Sequence, residues 1–99
     1  MRVISRRVLV EFWHLPAHRD AELPLRAWFK EAERAAWTTP ADIKARFASA
    51  SVLKNGRVVF NVGGNKYRLV VKVNYAVGAV FVRFVGTHAE YDRIDAEEV

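Results

Sequence analysis

An α+β fold, with N-terminal helices packed on one face of a small antiparallel sheet and a short C-terminal helix, is predicted by three features of this sequence. Apolar residues recur at helical spacing through the first half and change to alternation from Lys54 onward. The pair Gly63-Gly64 interrupts the alternating segment where a tight hairpin turn belongs. Thr87-His88-Ala89-Glu90, after the last alternating run, has the form of a helix capping box. With 99 residues, 52% hydrophobic and 27% charged, the chain can bury one modest core, so residues 1–99 are expected to form one domain.

Each element has its own warrant. A very short strand is expected at Arg2 to Ile4, then a helix capped by Ser5 in which Val8, Leu9, Phe12 and Trp13 share one face and Pro16 ends the run. A second helix is expected after Asp20 as cap, with Pro24 tolerated in the first turn and Leu25, Trp28, Phe29, Ala32 and Ala36 as its apolar stripe. Thr39 as cap, Pro40 at the first helical position and Asp42 in the first turn signal a short third helix, with Ile43 and Phe47 one turn apart. A two-residue turn at Gly63-Gly64 would set Val62 opposite Asn65, Asn61 opposite Lys66, Phe60 opposite Tyr67 and Val59 opposite Arg68. Val58, Phe60, Val62, Tyr67, Leu69, Val71, Val73 and Tyr75 then face the helices, and Arg57, Val59, Asn61, Lys66, Arg68, Val70, Lys72 and Asn74 face away. A third strand, Ala79 to Val85, is expected to add Val80, Val82 and Phe84 to the apolar face and Phe81, Arg83 and Val85 to the basic one, because a one-residue slip would bury Arg83.

The net charge of +5 understates a local imbalance. Residues 1–89 hold 15 Lys and Arg against 6 acids, and no acid falls between Asp42 and Glu90. Such a stretch favours a polyanionic partner, with ordinary solubility as the bland alternative. The absence of cysteine excludes a disulfide framework, a thiolate metal site and a cysteine nucleophile. The N-terminal apolar stretch is short and broken by Glu11 and His14, so neither an export signal nor a membrane span is expected, and a cytoplasmic location is.

RNA cleavage without a metal needs a base for the 2′-hydroxyl, cations for the developing phosphate charge and an acid for the leaving oxygen. The second sheet face and its edge offer these groups. Arg68 and Arg83 on neighbouring strands suit bidentate phosphate contacts, with Lys66, Arg57 and Lys72 as further cations. Phe81 could stack a base, while Asn61, Asn65 and Thr87 could hydrogen-bond bases, sugars or phosphate. His88 at the first helical position suits a base and Tyr91 lies one turn on. His88 and Tyr91 also fit as cap residues packed on the sheet end, and arginines on a strand also fit a solvated face. No metal site is expected: His14, His18 and Asp20 read as helix-end surface residues, and Trp13, Trp28 and Trp37 as core.

Two segments, Phe60-Asn-Val-Gly-Gly-Asn-Lys-Tyr-Arg-Leu-Val70 and Arg83-Phe-Val-Gly-Thr-His-Ala-Glu-Tyr-Asp92, resemble the HigB toxins of type II toxin-antitoxin systems, within the RelE-like superfamily. The helical half, with Ala41-Asp-Ile-Lys-Ala-Arg-Phe47, is similar too. The resemblance implies a RelE-like fold and a cofactor-free mRNA endoribonuclease that acts on translating ribosomes and is neutralised by a HigA antitoxin with a helix-turn-helix domain. It carries functional weight to Asn61, Asn65, Lys66, Tyr67 and Arg68 and to Arg83, Thr87, His88 and Tyr91, with Arg68, Arg83, His88 and Tyr91 as the catalytic set. The competing readings are a non-catalytic RNA-binding or ribosome-associated module and a protein-interaction domain that docks an acidic partner.

Overall fold

The computed structural model describes residues 1–99, which form four α-helices and a five-stranded sheet. In chain order these are β1 (Arg2–Ile4), α1 (Arg6–His14), a 3-10 segment (Pro16–Ala21), α2 (Glu22–Arg34), α3 (Pro40–Arg46), β2 (Ser51–Val52), β3 (Arg57–Val62), β4 (Tyr67–Asn74), β5 (Ala79–Thr87) and α4 (His88–Tyr91). The strands lie in the order β1-β5-β4-β3-β2. All neighbours are antiparallel except β1 and β5, which pair in parallel, so the sheet is mixed where an antiparallel one was expected. The two-residue β2 went unforeseen, since so short a strand shows no periodicity.

Apolar burial decides the helical half. Leu9, Phe12 and Trp13 of α1 and Leu25, Trp28 and Ala32 of α2 are buried against Val58, Phe60, Val62, Tyr67, Leu69, Val71 and Val73 of the sheet. Each of the larger side chains contributes roughly 1.5–3 kcal/mol by leaving water. Phe60 anchors this core, with Trp28, Trp37 and Phe47 rings 5.4, 6.3 and 5.0 Å away. Helix α2 stops at Arg34, which leaves Ala36 outside the stripe and exposed. The expected caps divide. Asp42 accepts hydrogen bonds from the Thr38 and Thr39 amides at 2.9 and 3.1 Å and so secures the start of α3. Ser5 precedes α1 in a left-handed conformation (φ 72°) with no side-chain capping bond. Asp20 caps nothing, because Ala21 stands at the start of α2.

Two departures in the sheet bear on function. Gly63 and Gly64 take positive φ as expected, but Asn65 does too (φ 92°), an option asparagine tolerates, and the loop widens to four residues closed by Lys66 N–H donating to Gly63 O. Val62 therefore pairs with Tyr67, Asn61 with Arg68, Phe60 with Leu69 and Val59 with Val70. The slip is an even number of residues, so every β3 and β4 side chain keeps its expected face. In β5, Val82 pairs with Val71 but Phe84 pairs with Val70, leaving Arg83 as the extra residue of a bulge. The bulge reverses the expectation for two side chains. Val85 packs on the main core, and Phe84 packs on the opposite face with Val59 and Val70.

That opposite face is covered. After α4 the chain turns back across the sheet, where Ala96 is buried with Val59 and Val70 while Tyr91, Ile94 and Val99 pack around them. Glu97 accepts from the Lys54 amide at 3.3 Å. Arg57, expected on an open basic surface, is only 7% exposed and donates to the Val99 and Asn55 carbonyls. The solvated basic face of the sequence reading is in fact a second, small core with cations at its margins.

Candidate functional site

The hairpin tip and the β5-to-α4 junction meet at one end of the sheet. Register places Tyr67 opposite Thr87 and Arg68 opposite both Asn61 and Gly86. Arg68 is half-buried and donates from Nη1 to the Asn65 carbonyl at 3.0 Å, with no carboxylate in contact. Its charge is held in place yet unneutralised, as anion binding requires. Thr87 and Glu90 complete their capping box: Glu90 N–H donates to Thr87 Oγ1 at 3.2 Å and Thr87 N–H to Glu90 Oε1 at 2.8 Å. The Thr87 amide, and to a lesser degree the charge of His18, hold the Glu90 carboxyl below the usual carboxylate range. His88 is exposed, with Nδ1 3.3 Å from Asp92 Oδ2 one turn on, so an Nδ1–H bonded to Asp92 leaves Nε2 free as a base.

Asn61, Asn65, Lys66, Arg68, Thr87 and His88 are thus gathered at the tip end. The remaining expected site residues are not. Lys72 pairs with Phe81 four residues further along β4, about 13 Å from Arg68 at strand rise, beside an open cavity of about 630 Å³ that Glu97 and Glu98 also line. Arg57 lines that same cavity beneath the returning chain. Arg83 sits at the bulge between the two ends, exposed, with Nε 3.2 Å from the Val99 carbonyl. Tyr91 is half-buried on the second core and so anchors α4.

Two residues set aside in the sequence belong to this end. Asp20 Oδ1 accepts the Tyr67 hydroxyl and Oδ2 accepts Lys66 Nζ. The Lys66 bond, then the Tyr67 bond, lowers the Asp20 pKa, and the same contact raises that of Lys66. Tyr67 is raised mainly by burial and next by its bond to Asp20. Tyr67 is therefore structural at its ring and polar at its tip. Asp20 is exposed as expected, but His18 is half-buried: its ring stacks on Phe12 at 4.2 Å and meets Tyr67 edge-on at 5.7 Å. The only signal in sequence was the polar link between two helices, which lacks any period. No group of three or more acidic or histidine side chains is arranged to hold a metal ion, and no helix is long and apolar enough to cross a membrane.

Comparison with known proteins supplies what geometry leaves open. The family model HigB_toxin, described as the RelE-like toxic component of a toxin-antitoxin system, matches residues 21–94. The mRNA interferase HigB of Escherichia coli O6:H1 is 28% identical over 74 residues, covering 73% of this chain and 72% of the relative. The mRNA interferase toxin HigB of Escherichia coli K12 is 42% identical over 55 residues, 54% of this chain and 53% of the relative. The mRNA interferase HigB of Shigella flexneri matches to the same extent, so the alignment spans about half the length of these last two. Helices on a small sheet, the paired hairpin and capping-box segments and this match agree: the chain belongs to the HigB_toxin family, the RelE-like toxic components of toxin-antitoxin systems.

Proposed function

We propose that this chain is an mRNA endoribonuclease that arrests translation by cutting RNA on ribosomes in the cytoplasm, and that a HigA-type helix-turn-helix antitoxin neutralises it. The reading is supported by the relatives' common name, mRNA interferase, and above all by one observation at the hairpin tip. Arg68, a cation with no acid partner, stands in register beside the strand end that starts the helix of His88. His88 Nε2 takes the proton of a ribose 2′-hydroxyl as that oxygen attacks the adjacent phosphorus. Arg68 stabilises the charge that grows on the non-bridging oxygens, and Arg83, further along at the bulge, meets a neighbouring phosphate of the strand. Asn61, Asn65 and Thr87, which share the tip end with Arg68, hold the strand by its bases and sugars. Lys66 is already matched by Asp20 and sets the geometry of the tip more than its charge.

The test is brief induction followed by mapping of new mRNA 5′ ends. Induction should arrest growth, and Arg68→Ala should relieve the arrest with the fold intact. Unchanged toxicity in both Arg68→Ala and Arg83→Ala would remove this face from consideration. Salt-sensitive RNA binding without new 5′ ends would instead mark a non-catalytic RNA-binding module.

A further inference from the structure

His18, like Trp13 and Trp28, holds a buried ring nitrogen with no hydrogen-bond partner, and of the three it alone has a second ring nitrogen. It lies in the 3-10 segment with φ −122° and ψ 21°, a local departure from helical geometry. The ring is parallel to Phe12 within 14° and nearly perpendicular to Tyr67, at 82°. Its Nδ1 is buried without a hydrogen-bond partner. Its Nε2 makes no hydrogen bond within the protein and is not fully buried. A phenyl ring would make the same stack without stranding a polar atom, so packing alone gives no reason for an imidazole here. What the imidazole adds is a second, ionisable nitrogen on a ring held by the face of Phe12 and an edge contact with Tyr67.

The position of that nitrogen matters. Tyr67, which the ring touches, pairs with Thr87 and precedes Arg68 in the chain. Glu90 lies close enough to feel the charge of His18, and its Oε1 is 3.0 Å from where a Cβ on Gly86, the partner of Arg68, would stand. His18, Glu90, Gly86 and Arg68 therefore form a continuous path around the end of the sheet. Charged and titratable groups around the ring are Glu90 from α4, Tyr67 and Lys66 from the hairpin and Asp20 from its own segment. Tyr91, the other residue suited to proton donation, is committed to the second core.

We infer that His18 is the general acid of the cleavage step, a role that rests on the endoribonuclease reading above. A 2′-oxygen to phosphorus bond forms and the phosphorus to 5′-oxygen bond breaks. The 2′-hydroxyl proton goes to His88, and the imidazolium of His18 gives its Nε2 proton to the departing 5′-oxygen. The products are a 2′,3′-cyclic phosphate and a 5′-hydroxyl, with no other reactant.

The test uses His18→Phe, which keeps the aromatic stack and removes the proton. A short mRNA carrying one 5′-bridging phosphorothiolate at the mapped cut is compared with the ordinary linkage, on programmed ribosomes under single-turnover conditions. A sulfur leaving group needs no protonation. His18→Phe should slow the ordinary linkage about 100-fold or more, lose the alkaline limb of the rate profile and cleave the phosphorothiolate at nearly the unsubstituted protein's rate. An unchanged rate on ordinary RNA, or equal loss on both linkages, overturns the assignment. If melting shows that His18→Phe does not fold, His18→Gln is read by the same two linkages and criteria. No cleavage by the unsubstituted protein overturns the endoribonuclease reading itself; cleavage by it that His18→Phe and His18→Gln leave intact overturns the acid alone.

Discussion

Arg57→Met separates the covered part of the sheet from the part proposed to meet RNA. Arg57 is 7% exposed and donates from Nε and Nη2 to the Val99 carbonyl and from Nη1, at 3.3 Å, to that of Asn55. Methionine retains an unbranched stem, so packing is largely preserved. The fork to Val99 is worth about 1.5–3 kcal/mol as a charge-assisted bond, and the long bond to Asn55 adds little. Relief of the guanidinium's desolvation offsets part of this, leaving a net loss of about 1–2 kcal/mol. In a domain of this size that lowers Tm by roughly 5–15 °C. Thermal melts should show this fall, and hydrogen exchange should show faster opening of the amides of residues 94–99. The rate of RNA cleavage below the new Tm should be unchanged. Arg68→Ala should do the reverse, with activity lost and Tm nearly constant. An Arg57→Met protein that melts normally yet cannot cleave would refute the reasoning, since Arg57 would then face RNA and the returning chain would not lie over it.

Further outcomes follow from the same contacts. Asp20, Asp42 and Glu90 have lowered folded pKa values, so their contribution is full above the ordinary carboxylate range and is lost as pH falls through the folded values. Denaturant melts between about pH 5 and 2 should fall steeply in stability, and Asp20→Asn should flatten part of that slope. Gly56→Ala should cost more than Gly64→Ala: both glycines have positive φ, but a Cβ at Gly56 stands 2.8 Å from the Val73 carbonyl while one at Gly64 meets nothing within 4 Å. The expected losses are about 1 kcal/mol at Gly64 and at least twice that at Gly56, read from urea midpoints. Thr87→Ala should cost about 1 kcal/mol through the lost cap and loosen the first turn of α4, visible as faster exchange of the Glu90 amide.

Reading the chain residue by residue recovers most elements because each reports on local physics. The stripe Leu25, Trp28 and Ala32 is a matter of helical pitch, and the box Thr87 to Glu90 of three-residue spacing. Candidate site residues stand out in the sequence where they flank those local signals, as Arg68 and His88 do. Arg57 was misread because alternation tells which face a side chain takes and not what lies over that face. The segment Ile94-Asp-Ala-Glu-Glu-Val99 reads as a solvated acidic end, yet Ile94, Ala96 and Val99 turn inward. His18 and Asp20 were dismissed because a 3-10 segment shows no hydrophobic period.

The sequence by itself determined the family, the class of fold and the face of every β3 and β4 side chain, since side-chain direction has a period of two that an even slip in register cannot alter. Tertiary structure alone decided the four-residue loop, the bulge at Arg83, the cover over Val59 and Val70 and the corner that joins His18 and Asp20 to Tyr67. Each depends on groups distant in the chain, such as Asp20 with Tyr67 or Arg57 with Val99, separated by 47 and 42 residues. Local propensity carries no record of such pairs, because their free energy exists only once the chain has closed around them.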